Sequence, residues 1–146
     1  MLDDYQMARM SLENSNLKQE LPQFTLYFSR YIVPYVIGLV RTTVDYNQYE
    51  LKLDIGPSCL DSKPKLFITY PKVLKGYHWQ KSINKRGVCH AFHTWKNGPG
   101  GIVQICHSEY WDASKSCVDI LLRGLLWLEL YDAYLRDGRT IAEHLK

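Results

Sequence analysis

The sequence has no long apolar segment that is free of charge. Its most apolar stretch, 117–135, is interrupted by Asp119, Arg123, Glu129 and Asp132, whereas a transmembrane helix needs about 20 consecutive, predominantly apolar residues. The first 21 residues contain acidic side chains and no apolar centre, which is not the pattern of a secretory signal peptide. We therefore expect no membrane association and a cytoplasmic location.

Cysteine is scarce, and no two cysteines have the Cys-x-x-Cys spacing of a zinc knuckle. The four are Cys59, Cys89, Cys106 and Cys117. A zinc site could be built from Cys106 with Cys89, His93, His107 or Cys117, but these spacings are not a familiar zinc pattern. In a reducing compartment, free thiols are expected rather than disulfides. We therefore expect no bound metal and no cofactor. The alternative to this expectation is a structural zinc-binding protein.

Charge of one sign is not concentrated in any run. The 146 residues include 18 Lys and Arg against 15 Asp and Glu, for a net charge of +3. A solvated, mildly basic surface is the favoured interpretation, and no nucleic-acid partner is expected. The length and the apolar content of 46% fit a single domain over 1–146 with one core.

The first half of the chain has a helix followed by strands. Residues 3–20 have the composition of a polar helix, with apolar positions that include Tyr5 and Leu12, and Pro22 ends it. Residue composition and alternation then predict three strand segments, the first of which is divided by Pro34 and Gly38: 24–41, 49–56 and 65–71. Glycine and proline make 72–100 a long loop.

The second half begins with a short strand at 101–106 and continues with the strongest helix signal, 116–136. The helix has apolar residues at i, i+3, i+4 and i+7, namely Val118, Leu121, Leu122, Leu125 and Leu128. Ser116 with Asp119 resembles a capping box, and Gly138 stands where a C-terminal cap is expected. A short helix closes the chain. Together these elements predict an α+β fold with one antiparallel sheet and helices packed on it.

The stretch GIVQICHSEYWD, 101–112, ends an apolar run on a thiol. Free cysteine is usually a small buried hydrophobe, yet Cys106 stands where the apolar run stops. It could be a core thiol, a nucleophile or a zinc ligand. For a nucleophile, the adjacent His107 and the upstream His90, His93 and Asn97 would favour the thiolate or stabilise an oxyanion.

This order of elements resembles the ubiquitin-conjugating enzyme fold, which has an N-terminal helix, a four-stranded antiparallel meander, an active-site loop and a central helix. The stretches 37–56 and 63–71 resemble the first three strands, and HTWKNGPGGIVQICHSEYW resembles the active-site segment. Ile105-Cys106, Trp111, WLELY at 127–131 and DGR at 137–139 are most similar to bacterial conjugating-like proteins of antiphage defence operons that signal through cyclic oligonucleotides.

The resemblance implies a ubiquitin-conjugating-like transferase. Its Cys106 would accept the C-terminal acyl group of a partner protein as a thioester and pass it to an amine. The implied partner is a cyclic GMP-AMP synthase-like nucleotidyltransferase. Candidate catalytic residues are Cys106, His93, Asn97 and His107, with the amide of Asn97 as an oxyanion donor. Candidate substrate-binding residues are Glu109, Trp111 and Asp112, of which the two carboxylates would help an attacking lysine lose its proton.

Two features depart from the family pattern. The family's His-Pro-Asn tripeptide is absent, because His93 is followed by Thr94 and Trp95, and Asn97 is out of register. The C-terminal part is also shortened, since further helices follow the central helix in eukaryotic members. The altered tripeptide region is compatible with an alternative function, that of a catalytically inactive adaptor that binds a partner protein.

Overall fold

One antiparallel sheet and two long helices account for about half of the chain, and the computed structural model describes all residues 1–146. The helices are α1 (Asp4–Glu20), α2 (Cys117–Asp137) and α3 (Ile141–His144), and short 3₁₀ turns lie at Ile83–Arg86 and Pro99–Gly101. The strands are β1 (Phe24–Ser29), β2 (Ile32–Arg41), β3 (Gln48–Asp54), β4 (Lys65–Tyr70), β5 (Thr94–Trp95) and β6 (Gln104–Ile105).

The sheet has the order β1-β2-β3-β4-β6-β5, and every neighbouring pair is antiparallel. The first four strands form a meander, and β6 returns beside β4 with Ile105 opposite Leu66. Helix α1 packs on β1 and on α2, and α2 packs on β3. The predicted α+β class, with an N-terminal helix, an antiparallel sheet and a later helix, is confirmed.

The segment 24–41 forms two strands rather than one divided strand. The chain turns between Ser29 and Ile32, and neither Pro34 nor Gly38 interrupts β2. Pro34 lies where the β1–β2 register is irregular, so no ladder hydrogen bond is lost there. Gly38 gives room to a neighbour, because a Cβ at this position would come within 2.5 Å of the Phe24 ring.

The apolar spacing predicts the buried face of α2 in part, since Leu121 and Leu128 are buried, but it does not predict the buried face of α1. Helix α1 buries Met10, Glu13 and Leu17, whereas Tyr5 and Leu12 are exposed. In α2, Leu122 is 50% exposed. Its place against the sheet is taken by Gly124, where a Cβ would lie 2.9 Å from a methyl carbon of Leu66. The caps of α2 agree with the sequence, because Ser116 and Asp119 form a capping box and Gly138 is left-handed.

The loop between β4 and β5 is organised around Asn84. Its side-chain oxygen accepts from the Leu74 amide at 2.8 Å, and its amide group donates to the carbonyls of Lys72 at 2.8 Å and Gly101 at 2.9 Å. The Asn84 carbonyl accepts from the Asn97 side chain at 2.7 Å. The Asn84 side chain therefore joins the segment 72–74 to Gly101, and its backbone carbonyl adds Asn97. None of the helices combines the length and apolar character needed to cross a bilayer.

Candidate functional site

Cys106 directly follows β6 at the edge of the sheet. Its backbone N–H donates to the His93 carbonyl at 2.9 Å, which continues the pairing of β6 with the strand beside it. The side chain is half-buried, and its only hydrogen-bond contact is with the Ser108 carbonyl, 3.8 Å from Sγ. The backbone of Cys106 is thus fixed by the sheet, while the thiol makes one weak contact.

The thiol opens into a cavity of about 670 Å³. Its polar lining includes the side chains of Lys63, Cys89, His90, His93, Cys106, His107, Ser108, Glu109 and Arg123. An apolar wall is formed by Val88, Trp95, Leu126, Trp127, Leu130, Ile141 and Leu145. A concave, mostly apolar site with a few convergent polar groups is the usual form of a ligand site.

His93 ends a tight turn that begins at His90. Its N–H donates to the His90 carbonyl at 3.2 Å, and its φ of 50° lies in the left-handed region. The two imidazoles are stacked with ring centroids 5.5 Å apart. Burial and the neighbouring His90 lower the pKa of His93, and Glu109 opposes this shift. The His93 ring is therefore neutral at pH 7 and can accept a proton within the cavity.

His107 is only 4% exposed, and both of its ring nitrogens are engaged. Nε2 lies 2.8 Å from the Pro64 carbonyl, and because a carbonyl only accepts, Nε2 carries the proton. Nδ1 lies 3.4 Å from the Ser108 hydroxyl and accepts from it. In this arrangement the imidazole fastens the chain after Cys106 to the loop before β4, and neither nitrogen is free to act as a base.

We expect the stability of the protein to fall in mild acid through His107. Burial lowers the pKa of His107 below its ordinary 6.5. Below about pH 6.5 the unfolded chain takes up a proton that the folded protein resists, so unfolding is favoured as the pH falls. Thermal melts from pH 7.5 down to about pH 5 should show a smaller loss of Tm for His107→Gln than for the parent protein. Equal losses would contradict this role.

Asn97 lies outside the cavity that contains Cys106. It borders a second, smaller cavity, and its Nδ2 donates to the carbonyls of Asn84 at 2.7 Å and Gly101 at 3.1 Å. Both amide protons are thereby used within the loop. This placement does not support the expected role of Asn97 as an oxyanion donor, and it gives the side chain a structural role instead.

Replacing Asn97 should affect stability and leave thiol chemistry unchanged. Asn97→Ala removes two hydrogen bonds at an exposed position, so we expect a loss of about 1 kcal/mol in the free energy of unfolding. Because Asn97 lies outside the cavity of Cys106, the rate of Cys106 alkylation by iodoacetamide should stay within about twofold of the parent protein's rate. A tenfold change would correspond to about 1.4 kcal/mol. Urea unfolding and timed alkylation followed by mass spectrometry measure the two quantities. Slower alkylation at unchanged stability would restore a role at the thiol.

The three expected substrate-binding residues are separated by the structure. Glu109 is exposed and lines the cavity. Trp111 does not line it; its indole N–H donates to the Leu60 carbonyl at 2.8 Å, and its ring packs against the core. Asp112 is exposed and accepts from the Ser114 amide at 2.8 Å; hydrogen bonds from Ser114 lower the pKa of Asp112. Of the three, only Glu109 reaches the thiol's cavity.

Two cations in the cavity were not anticipated. The Lys63 ammonium donates to the Ser108 carbonyl, the same oxygen that contacts the Cys106 thiol. The Arg123 guanidinium donates to the His107 carbonyl at 3.1 Å. No local signal in the sequence connects Lys63 with Cys106, since they come from distant loops. In the sequence, Arg123 stands out only as a charged residue that interrupts an apolar helix.

A second thiol also reaches this cavity. Cys59 and Cys117 are buried, and burial raises the pKa of each thiol. Cys89, in contrast, is half-buried and lines the same cavity as Cys106. It pairs with Thr94 through two backbone hydrogen bonds, so it lies in an ordered hairpin rather than in a flexible loop. Two half-buried thiols, Cys89 and Cys106, therefore line the same cavity.

The cavity offers no evident metal centre. No group of three or more His, Cys, Asp or Glu side chains is arranged to hold a metal ion anywhere in the structure. Comparisons with protein-family models, with curated proteins and with solved structures found no match to this chain.

Proposed function

We propose that this protein is a cysteine-dependent acyl-carrier transferase with a ubiquitin-conjugating-enzyme-like fold. The observation that carries the proposal is the Cys106 thiol. It is half-buried, it follows a strand whose pairing fixes its backbone, and it opens into the cavity of about 670 Å³, which has an apolar wall. The order of helix, four-stranded meander, long loop and central helix agrees with that fold.

The groups in the cavity suit acyl transfer through a thioester. The Cys106 thiol gives its proton to a base, for which the neutral His93 ring is the candidate, and the thiolate attacks the activated C-terminal carbonyl of the donor. The donor's leaving group departs, and a thioester forms. A neutral lysine amine then attacks the same carbonyl, the C–S bond breaks, and Cys106 regains a proton. The amine loses its proton to the base or to solvent.

Charge in the cavity favours the two tetrahedral intermediates. Each intermediate places a negative charge on the former carbonyl oxygen, and preorganised positive groups stabilise such an oxygen. Lys63 and Arg123 are the cationic groups of the lining, and each is anchored to a carbonyl of the two residues that follow Cys106. In this proposal Lys63 and Arg123 stabilise the oxyanion, a role that was expected of the Asn97 amide from the sequence.

We propose a bacterial cyclic GMP-AMP synthase-like nucleotidyltransferase as the acyl donor, in antiphage defence. Support comes from the resemblance of residues 93–138 to conjugating-like proteins of such operons. The apolar wall formed by Leu126, Leu130 and neighbouring residues is suited to an extended C-terminal peptide. A separate enzyme would activate the donor.

The test supplies the donor already activated. A synthase of this class is prepared by intein cleavage with a C-terminal mercaptoethanesulfonate thioester, and is mixed with the protein. Intact mass spectrometry should find a covalent adduct that lacks the small thiol and that dithiothreitol or hydroxylamine cleaves. The absence of an adduct, with the two proteins still co-eluting on a sizing column, would favour the inactive adaptor instead.

A further inference from the structure

The basic residues are distributed unevenly along the chain. Between Asp61 and Glu109 no acidic residue occurs. Eight of the chain's 18 Lys and Arg residues and none of its 15 Asp and Glu residues lie in 62–108, so the remaining 10 basic and 15 acidic residues are net negative. A search for consecutive basic residues overlooks this pattern, because the cations are spaced by several neutral residues.

The cations of 62–108 are not neutralised within the molecule. The four ion pairs of the structure use Arg9, Arg30, Arg136 and His144, all of which lie outside this segment. Most of the lysines in 62–108 are exposed. A cluster of unpaired cations without interspersed acids produces a positive surface potential that attracts anions.

Two of these lysines border one cavity, and hydrogen bonds through Asn84 connect its rim to the segments that carry Lys72 and Lys85. A cavity of about 260 Å³ on the sheet is bordered by Lys65, Lys96 and the ring of Trp95, which is 47% exposed. Asn97, next to Lys96, donates to the Asn84 carbonyl, and Asn84 donates to the Lys72 carbonyl. We call the set Lys65, Trp95, Lys96, Lys85 and Lys72 the basic track.

The track places the exposed aromatic ring of Trp95 among lysines on a rigid support. Trp95 lies opposite Gln104, and Gln104 lies opposite Phe67, so these side chains form a row across the sheet. Tyr70, at the end of β4 and two residues before Lys72, is 55% exposed. The hydrogen bonds of Asn84 hold the loop segments of the track in one arrangement.

We propose that the basic track binds single-stranded nucleic acid without sequence preference. Surfaces of this kind combine cations that follow the phosphate backbone with exposed aromatic rings on which bases stack. A base stacked on Trp95 would leave its neighbouring phosphates between Lys65 and Lys96. An acidic peptide fits this surface less well, because a carboxylate has no face to stack on an indole. This inference replaces the expectation of no nucleic-acid partner and does not depend on the proposed acyl transfer.

The test measures the fluorescence anisotropy of a labelled oligothymidylate. We expect binding at about 50 mM salt that weakens with salt by a log–log slope of about −0.7 per phosphate contacted. Lys65→Glu/Lys96→Glu should weaken binding at least about tenfold and reduce the slope. The control Lys18→Glu/Arg41→Glu changes the net charge equally outside the track and should weaken binding less than about threefold. Trp95→Ala should weaken it roughly fivefold to a hundredfold.

Three results would overturn the proposal: no binding at low salt, equal losses in the two charge-reversal variants, or competition by polyglutamate as effective as that by unlabelled oligothymidylate. Thermal melts show whether each variant is folded. If Lys65→Glu/Lys96→Glu is unstable, Lys65→Gln/Lys96→Gln removes the positive charges without adding negative ones, and it must weaken binding in the same direction.

Discussion

Cys106→Ala is expected to abolish the thioester adduct with the activated synthase while leaving the fold intact. The thiol is half-buried and has one weak contact, so its loss creates no large cavity in the core. Without Sγ no nucleophile remains at the end of β6. Cys106→Ser should form an oxyester that is more stable than the thioester, if the donor loads it. The measurement is intact mass before and after treatment with dithiothreitol.

Cys89→Ser is the matched control for this prediction. Cys89 and Cys106 are both half-buried thiols of the same cavity, so a reagent that merely enters the cavity would modify either one. We expect Cys89→Ser to retain the adduct in full. An adduct that survives Cys106→Ala and disappears in Cys89→Ser would move the nucleophile to the hairpin and refute the assignment of Cys106.

The parts of the fold that sequence predicted depend on local signals. The capping box of Ser116 and the left-handed Gly138 fixed the limits of α2, because both act within one helical turn. The turn between β1 and β2 was missed because Arg30 and Tyr31 are not residues typical of hairpin turns. The buried face of α1 was missed because one of its three buried residues, Glu13, is charged. Its carboxylate accepts from the Cys117 amide at 2.6 Å, a partner on another helix.

The candidate site, too, was predictable only where its residues lie close together in sequence. Cys106, His93 and Glu109 lie close together in sequence, and they line one cavity. Lys63 reaches the same cavity only through the pairing of β4 with β6, which no local pattern encodes. The hydrogen bond of Asn97 to Asn84 was not predictable, because Asn84 lies 13 residues earlier in a loop with no periodicity.

A buried carboxylate on α2 was also missed, since Asp132 reads only as an interruption of an apolar helix. It is 1% exposed. Its Oδ1 accepts from the Tyr49 hydroxyl at 2.5 Å, and its Oδ2 accepts from the Thr42 hydroxyl and from the Asn47 amide at 3.2 Å. Burial and this hydrogen bond raise the pKa of Tyr49, so its hydroxyl remains a donor. Asp132 thereby joins α2 to the connection between β2 and β3.

Asp132→Ala should therefore cause one of the largest losses of stability available to a single substitution. It leaves three donors without their acceptor, two of them buried hydroxyls, and each unsatisfied buried group costs about 1–3 kcal/mol. We expect the free energy of unfolding to fall by at least about 3 kcal/mol, out of the roughly 5–15 kcal/mol typical of a domain. Urea unfolding followed by tryptophan fluorescence measures the change.

Glu129→Ala is the matched control, because Glu129 lies on the same helix and accepts from Thr43 in the same connection, from the amide at 2.8 Å and from the hydroxyl at 2.6 Å. Those hydrogen bonds are exposed, so water replaces them and the loss should be about 1 kcal/mol. Asp132→Asn keeps one carbonyl acceptor, so its loss in the free energy of unfolding should lie between the losses of Asp132→Ala and Glu129→Ala. Equal losses for Asp132→Ala and Glu129→Ala would mean that the buried carboxylate contributes no more to stability than a surface one.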